Sequence, residues 1–411
     1  MKPRLLFISH VNPAHPRSGQ QQRVYYSLKA AKRFFQITFL TLSSGNPEDL
    51  EQLRELCDDV IALPPLLLDY RTKLVYALQY ICFALRTGLK KSNFIIGEVE
   101  FSPKRLESVL KDRNFDYVIF EYWYAYKSVS LFQSHGMSCI LDMHDTLWKA
   151  FEQQIKTKPF PLFYKERIKR LYRQYEQHAW KSFDRIIALN KIEQNMVKGV
   201  ISTNVMVDFL PMGIDLSVWE YLWIYNDSAP YRVGFYGSLS SKVNIDSALR
   251  CLEKIMPIIW EKKPGAEFWL IGNHPADALL QRAKTDSRIK ITGYVEKVQK
   301  VIAKMGVILC PWEGVFGFRS RIIEVMAIGV PLVVSYDAIA GMGIAEGGIE
   351  VGRTNDELAN HVLGLLDNKG LACQLSLNAR SDVEKNYSFE DTYLKYFNRL
   401  QKRIDERSKN D

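Results

Sequence analysis

Two arginines and a glutamate stand together at the start of a short apolar segment. Arg319 and Arg321 follow Gly314 and Gly317, and Glu324 lies three positions after Arg321. Guanidinium groups donate charge-assisted hydrogen bonds to phosphate, and a carboxylate can accept hydrogen bonds from two neighbouring hydroxyls. Because residues three positions apart share one face of a helix, the spacing predicts a site for phosphate and ribose, the two polar parts of a nucleotide.

The surrounding residues predict the elements that would hold this site. The apolar pattern of 320–328 predicts a helix, which Gly329 ends and Pro331 prevents from continuing. The run 332–334 is typical of a strand buried in a parallel sheet. A helix that begins at a glycine-containing loop directs its free N–H groups and positive dipole end toward an anion. Taken alone, the segment also fits a surface helix with a solvated ion pair.

The whole chain limits the classes of protein to consider. Its 411 residues predict two domains, and 47% apolar with 25% charged residues is typical of a globular protein. The net charge of +9 favours an anionic partner such as nucleic acid, anionic lipid or a phosphorylated substrate. Six dispersed cysteines without a Cys-x-x-Cys pair indicate a reducing compartment. The N-terminal apolar run predicts a first strand rather than a signal peptide, and no apolar run is long enough to predict a membrane span.

The first half alternates apolar strands with helical patterns, as in a doubly wound α/β domain. Gly19 stands alone in the first strand-to-helix loop, so the three-glycine fingerprint of dinucleotide binding is absent. The predicted strands cover 5–8, 37–42, 115–120, 138–143, 183–190 and 205–210.

Three polar residues follow predicted strands of this half. His10, Glu121 and His144 lie at or just beyond carboxyl ends, which line the ligand crevice in open α/β sheets. His144 and Asp145 together could suggest a metal site, but no further carboxylate or histidine stands near them at ligand spacing. We therefore expect a substrate-contacting or internally satisfied histidine and no metal.

Residues 60–91 combine apolar and aromatic residues with basic residues near the ends. One interpretation is an interfacial helix on an anionic membrane. The other is a helix packed against the sheet whose basic ends reach solvent. The sequence does not decide between them.

After a linker at 216–231 the alternating pattern starts again, with strands predicted at 232–236, 266–271, 289–291, 307–309 and 332–334. The predicted organisation is an N-terminal Rossmann-like domain at 1–215, the linker, and a C-terminal Rossmann-like domain at 232–385. A terminal helix and tail occupy 386–411.

Several motifs of the second half occur together in a familiar order. They are Gly237-Ser-Leu, Asn244, Gly272, 292–295 and 321–335. This series resembles the family 4 glycosyltransferases of the GT-B fold, the group 1 glycosyltransferases, and most closely their bacterial sugar-transferase branch. The turn at 211–215 is similar to the interdomain turn of that family. The resemblance implies two doubly wound domains facing a cleft, with the C-terminal helix returning to the N-terminal domain.

The resemblance also assigns roles to residues of the donor site. Glu324 corresponds to the glutamate that binds the ribose hydroxyls, and Tyr294 and Val295 lie where backbone groups meet the base. The other expected donor-binding residues are Gly19, Gly237, Ser238, Glu313, Phe318 and Ser320. The expected catalytic residues are Lys242, Arg319, Arg321 and His144.

On the other side of the implied cleft, His144 corresponds to the histidine that touches the transferred sugar. His10 and Glu121 are expected on the acceptor side.

Two positions depart from the family pattern. Many members carry a glutamate eight positions before the one at Glu324, but that position is Phe316 here, and Glu313 is the candidate to replace it. Members also place arginine after the first turn glycine and lysine five further on, where this chain has Ser238 and, one place early, Lys242. We expect Arg319 and Arg321 to supply the missing charge.

The expected activity is transfer of a sugar from a UDP- or GDP-sugar to a glycan, lipid-linked or other hydroxyl acceptor, with retention and without metal or other cofactor. The alternatives are a non-catalytic nucleotide-binding or partner protein and a nucleotide-sugar epimerase. Nucleic acid is not an expected partner, because the basic residues are scattered and no reading motif is present. The expected location is the cytoplasm or the inner face of the cytoplasmic membrane, with an anionic membrane surface as a further partner.

Overall fold

The computed structural model describes residues 2–43, 45–66, 70–111, 113–156, 158–226, 231–314, 317–345 and 347–407, without the side chains of 70, 72 and 405–407. Phe316, at which the family pattern changes, lies outside the described residues, as do parts of the 60–91 segment, the predicted linker and the tail. The chain divides into two compact units. The first combines Met1–Pro211 with Tyr393–Asp411, and the second is Met212–Thr392.

The described part of the first unit contains a seven-stranded parallel sheet in the order β3-β2-β1-β4-β5-β6-β7. The order reverses direction at β1, next to β4, which makes the unit doubly wound and confirms the predicted α/β class. Its strands are β1 Arg4–Ser9, β2 Gln36–Leu42, β3 Asp59–Leu63, β4 Tyr117–Glu121, β5 Ser138–Asp142, β6 Arg185–Ala188 and β7 Met206–Phe209.

Helices connect these strands. They are α1 Gly19–Ala31, α2 Pro47–Leu56, α3 Tyr70–Thr87, α4 Lys91–Phe94, α5 Pro103–Leu110, α6 Val129–Gln133, α7 Leu147–Lys156, α8 Leu162–Trp180 and α9 Lys191–Lys198. A wider π-helical turn, Ile95–Glu100, continues α4, and a 3₁₀ helix, Trp123–Ser128, follows β4.

The second unit repeats the plan with six described parallel strands in the order β10-β9-β8-β11-β12-β13. They are β8 Arg232–Tyr236, β9 Glu267–Ile271, β10 Ile289–Ile291, β11 Val307–Cys310, β12 Leu332–Ser335 and β13 Glu350–Gly352. Its helices are α10 Lys242–Arg250, α11 Met256–Lys262, α12 Asp277–Thr285, α13 Val298–Ile302, α14 Ser320–Ile328, α15 Tyr336–Ile339, α16 Asn355–Asp367 and α17 Lys369–Asn386. π-helical turns occupy Cys251–Ile255 and Glu390–Leu394.

The helix and strand predicted after the glycine loop are confirmed. The side chains of α14 from Ile322 to Ile328 are buried, as are all four residues of β12. Gly329 follows α14 in the left-handed conformation, with φ of 90°, which ends the helix without a Cβ clash.

The C-terminal residues rejoin the first unit as α18 Lys395–Arg407. The ring of Phe397 lies 6.3 Å from the rings of Phe7 and Phe35, and the hydroxyl of Tyr396 donates to Asp208 Oδ2 at 3.3 Å. Aromatic packing therefore fixes this helix to the N-terminal unit, as the family resemblance implies. No helix among the described residues is long and apolar enough to cross a bilayer.

Candidate functional site

In the second unit, the loop before α14 is shaped by two glycines and an aspartate. Gly314 and Gly317 have φ of 95° and 74°, in the left-handed region that glycine adopts most readily. The amide of Gly314 donates to Asp337 Oδ2 at 2.9 Å, which fixes the loop to the residues after β12. The loop thus leads into the N-terminus of α14, where the amides of the first turn can bind an anion.

Arg321, Glu324 and Tyr236 form one hydrogen-bonded cluster. Arg321 Nη1 donates to Glu324 Oε2 at 2.8 Å and also to the Tyr236 hydroxyl, which itself donates to Glu324 Oε2 at 2.9 Å. Tyr236 is the last residue of β8, so the cluster joins the sheet edge to α14. The solvated surface pair considered from the sequence does not occur, because the side chain of Glu324 is only 1% exposed.

In this cluster Tyr236 is protonated, Arg321 is positively charged, and one oxygen of Glu324 can accept a hydrogen bond from a ligand. Burial and the neighbouring Glu324 raise the pKa of Tyr236 well above its usual range, so its hydroxyl keeps its proton. Burial alone would lower the pKa of Arg321, but Glu324 and Tyr236 outweigh burial and raise it. Both hydrogen bonds to Glu324 reach Oε2. Among the described residues Oε1 accepts none, so it can accept from a ligand hydroxyl.

Arg319 folds back onto its own loop. Its Nη2 donates to the carbonyls of Glu313 and Gly314 at 3.1 and 3.0 Å, and its guanidinium lies 5.3 Å from the Trp312 ring centre. Glu313 is exposed and lies 3.4 Å from Arg250 Nη1. Arg319 therefore stabilises the loop that precedes α14.

Gly237 and Gly272 let the turns after β8 and β9 touch. A Cβ on Gly272 would lie 1.8 Å from the carbonyl oxygen of Gly237, so no larger residue fits without moving backbone. Asn244 braces the same turn: it donates to Ser238 O and accepts from Trp312 Nε1, each at 2.9 Å.

Other residues predicted for the donor site lie further into solvent. Lys242 is 73% exposed and pairs with Asp246 at 2.9 Å, and Tyr294 is exposed beside the half-buried Val295. Phe318 is half-buried, with its ring 6.3 Å from that of Tyr387, and the half-buried Ser320 begins α14. Arg321 and Glu324 are in direct contact with each other. The structure shows no side-chain hydrogen bond of this kind between either of them and Lys242, Tyr294, Val295, Phe318 or Ser320.

The first unit contains a second cluster, at the carboxyl ends of β4 and β5. Nε2 of His144 is hydrogen bonded to Oε2 of Glu121, and both side chains are buried. The ring of Tyr122 stacks on His144 with centres 4.3 Å apart and an interplanar angle of 8°. Tyr122 and His144 have φ of 69° and 55°, and such left-handed residues often occur at functional sites.

His10 lies beside this cluster. Its ring centre is 5.1 Å from that of Tyr122 and 5.4 Å from that of Tyr124. Burial and the neighbouring His144 lower the pKa of His10 to about 4, so it is neutral at pH 7. His10, Glu121 and His144 thus lie together at the carboxyl ends of β1, β4 and β5, and their contact with a substrate stays a prediction. Gly19 is exposed at the start of α1.

The sequence argument that no further carboxylate accompanies His144 is wrong. Glu121 and Asp142 are register partners at the ends of adjacent strands, and ligand atoms of these two residues and His144 all lie within 4.8 Å of one another. Asp142 lies only two positions before His144 in the sequence, whereas Glu121 lies 21 positions before Asp142 and reaches them because β4 pairs with β5.

Arg23 supplies a positive charge to this acidic cluster. Its Nε lies 2.8 Å from Asp142 Oδ2, and its side chain is fully buried. Burial alone would lower the pKa of Arg23, but Asp142 more than compensates and raises it. Since a guanidinium already binds Asp142, a second cation would be repelled at close range. The residues therefore fit an internal ion-pair network better than a metal centre.

Sequence reasoning missed Arg23 and Tyr236 as members of these clusters. Tyr236 could have been found, because it ends a predicted strand directly before Gly237. Arg23 lies in the helical pattern after Gly19 and gives no local signal of burial.

Comparison with solved structures identifies the fold of the chain. The chain is similar to sucrose-phosphate synthase from Thermosynechococcus elongatus, with a TM-score of 0.68 at 15% identity over 98% of this chain and 99% of the other. The structure of TarM has a TM-score of 0.66 at 11% identity, over 97% of this chain and 98% of the other. The structure of the Anabaena protein HepE in complex with UDP-glucose has a TM-score of 0.60 at 12% identity, over 97% of this chain and 99% of the other. The fold is that of the GT-B glycosyltransferases, as predicted.

A family model matches part of the second unit. Residues 230–368 match the model described as "Glycosyl transferases group 1", so this part of the chain carries a group 1 glycosyltransferase domain. The match includes Tyr236, Arg321 and Glu324. No curated protein sequence matches the chain. Assignment to family 4 in particular stays a prediction.

Proposed function

We propose that this glycosyltransferase moves a sugar from a nucleotide diphosphate sugar to a hydroxyl group of a glycan or lipid-linked acceptor, with retention and without metal or other cofactor. The observation that carries the proposal is the Arg321–Glu324–Tyr236 cluster at the first turn of α14, within a group 1 glycosyltransferase domain.

The donor's ribose and diphosphate match different parts of this arrangement. Glu324 Oε1 is an unused acceptor for ribose hydroxyls, and Tyr236 and Arg321 fix the carboxylate in place. The amides at the start of α14 and the positive end of its dipole suit the diphosphate. Solved structures of HepE contain UDP and UDP-glucose, which supports a UDP-sugar over a GDP-sugar for this chain.

Sugar transfer builds negative charge on the departing diphosphate. Donors held in place before the reaction stabilise that charge without reorganising, and this is commonly the largest contribution to catalysis. Arg321 is well suited, because its ion pair with Glu324 fixes it and its side chain is still 33% exposed. In a retaining reaction a phosphate oxygen can accept the acceptor's proton, so no protein base is required.

The His144 cluster is proposed to contact the transferred sugar. Glu121 and the stacked ring of Tyr122 hold the imidazole in one orientation. Glu121 is therefore a positioning residue, and the neutral His10 beside it belongs to the acceptor side. The proposed site of action is the cytoplasm or the inner face of the cytoplasmic membrane, where lipid-linked acceptors are presented.

The experiment has two arms. Purified full-length protein is screened by thermal shift against UDP, GDP and a panel of their sugars, because a ligand that binds the folded state raises the melting temperature. Donors that stabilise it are then incubated with candidate acceptors, and products are identified by mass spectrometry. Stabilisation by one nucleotide class together with transfer supports the proposal.

Other outcomes would favour the alternatives. UDP binding without transfer or hydrolysis across the whole panel would favour a non-catalytic protein. Release of an epimerised nucleotide sugar in the absence of acceptor would favour an epimerase.

A further inference from the structure

Helix α3 presents an apolar stripe to solvent. Five large apolar side chains of this helix are between 52% and 66% exposed: Leu74, Val75, Leu78, Ile81 and Leu85. Their spacing places them on one face, since residues three, four, seven and eleven positions apart lie close together around a helix. A helix on the surface of a water-soluble protein normally has polar residues on that face, and a continuous apolar patch marks an interaction site.

The opposite face of α3 is already packed, so the stripe is not a displaced part of the core. The ring of Phe83 lies 5.2 Å from that of Phe94 and 5.7 Å from that of Tyr175 on α8. Gly88, just after α3, packs so closely on α8 that a Cβ would lie 2.8 Å from the carbonyl oxygen of Ile168. The helix is therefore fixed to the first unit with its apolar stripe outward.

Helix α3 and the ten residues after it carry only positive charges. Residues 70–97 contain five basic residues and no aspartate or glutamate: Arg71, Lys73, Arg86, Lys90 and Lys91. All five are exposed, and Arg71 and Arg86 lie beyond the two ends of the stripe. An apolar face flanked by lysine and arginine is the pattern of helices that lie in the interface of an anionic bilayer.

The same charges disfavour a second copy of the chain as the occupant. A two-fold interface through α3 would bring the basic residues of both copies together, and like charges at short distance repel. An anionic bilayer instead accepts the apolar side chains and neutralises the bases.

We propose that α3 docks this protein on an anionic lipid bilayer. The helix lies parallel to the membrane with Leu74, Leu78 and Leu85 inserted among the acyl chains, and the bases at its ends contact lipid phosphates. The idea that docking presents a lipid-linked acceptor to the first unit rests on the proposed function. Binding to the bilayer is independent of the proposed function, because it requires neither a sugar donor nor sugar transfer.

The test is vesicle flotation of the full-length protein at low salt without nucleotide. Vesicles contain phosphatidylcholine alone or with 30% phosphatidylglycerol added, on the order of the anionic content that attracts basic segments. We expect binding to the anionic vesicles only. L78Q/L85Q should lower the partition coefficient at least about tenfold. K90Q/K91Q should lower it on the order of thirtyfold, because each base near the surface contributes independently.

Matched controls come from the second unit. L280Q/L377Q removes two exposed leucines from other helices, and K254Q/K262Q removes two exposed lysines. Both should bind vesicles like the unmodified protein. Melting temperatures of all variants check that the α3 substitutions, which lie on an exposed face, leave the fold intact.

Three outcomes would overturn the proposal: no flotation with anionic vesicles, equal losses in the control variants, or a dimer in light scattering that L78Q/L85Q dissociates. Donor-induced thermal shift and transfer to a soluble acceptor are measured on the same samples. Protein that floats but neither binds donor nor transfers sugar would overturn the proposed function and leave membrane docking supported.

Discussion

The guanidinium of Arg23 and the carboxylate of Asp142 form an ion pair inside the first unit, with Nε and Oδ2 2.8 Å apart. Arg23 Nη1 also donates to the carbonyls of Leu210 and Pro211, at 3.1 and 3.2 Å, and its Cζ lies 5.2 Å from the ring centre of Tyr393. One side chain thus joins α1 and β5 to the residues at which the chain leaves the first unit and re-enters it.

Replacing Arg23 with methionine should destabilise the protein strongly. Asp142 would remain buried without its cationic partner, and breaking a buried pair in this way costs about 3 to 5 kcal/mol. Urea unfolding of the first unit measures the loss. Arg33→Met, an exposed arginine shortly after the same helix, should change stability by less than about 0.5 kcal/mol. A loss below about 1 kcal/mol for Arg23→Met would show that the pair is not structural.

Replacing Arg321 with alanine should impair sugar transfer. A charge-assisted contact to the leaving diphosphate contributes about 2 to 4 kcal/mol, so kcat/KM should fall by a factor of about 30 to 800. Steady-state assays with the donor found by thermal shift provide the measurement. Activity within about twofold of the unmodified enzyme would rule out this role.

Tyr236→Phe should weaken nucleotide binding without unfolding the second unit. The variant removes only the hydroxyl that donates to Glu324 Oε2 and accepts from Arg321, and such a loss costs about 1 to 3 kcal/mol. Titration calorimetry with UDP should show Kd raised about fivefold or more. Tyr221→Phe is the control, since it removes another tyrosine hydrogen bond, to Ser376, and should leave Kd unchanged. If the two variants bind UDP with the same Kd, Tyr236 does not contribute to nucleotide binding.

Gly272→Ala should disturb the turn that follows β8. Its Cβ would lie 1.8 Å from Gly237 O, so backbone must move, and overpacking of this kind costs about 1 to 3 kcal/mol. Donor binding should fall together with stability. Gly265→Ala provides the comparison, because no atom lies within 4 Å of its added Cβ. If both variants melt at the same temperature, the close approach of the two turns has no energetic consequence.

His10 should make stability depend on pH in the acidic range. Its pKa falls from 6.5 to about 4 on folding, so the unfolded chain binds more protons between these values. The unfolding free energy contributed by the neutral His10 is fully present above pH 6.5, and about 3 kcal/mol of it is lost as the pH falls through 4. His10→Gln should flatten the profile of unfolding free energy against pH over this window. The exposed His135→Gln should keep the original slope, and identical slopes for both variants would refute the assignment.

The local elements could be predicted from sequence because each has a local cause. The buried run of β12, the left-handed Gly329 and the glycine loop before α14 depend on residues a few positions apart. The motifs from Gly237 to Arg321 likewise indicated the group 1 domain that the family match supports. Contacts between residues far apart in the sequence could not be predicted in this way. Arg23 and Asp142 are 119 positions apart, and Tyr236 and Glu324 are 88 positions apart.

The sequence by itself determined the alternating strands and helices, the fold class and the residue types of the candidate donor site. Tertiary structure alone decided that Tyr236 joins the Arg321–Glu324 pair, that Glu121 reaches Asp142 and His144, and that the apolar stripe of α3 faces outward. The reason is physical. Local propensity and hydrophobic periodicity act over one turn or one strand, whereas burial and charge pairing depend on which strand ends and helix faces meet in three dimensions.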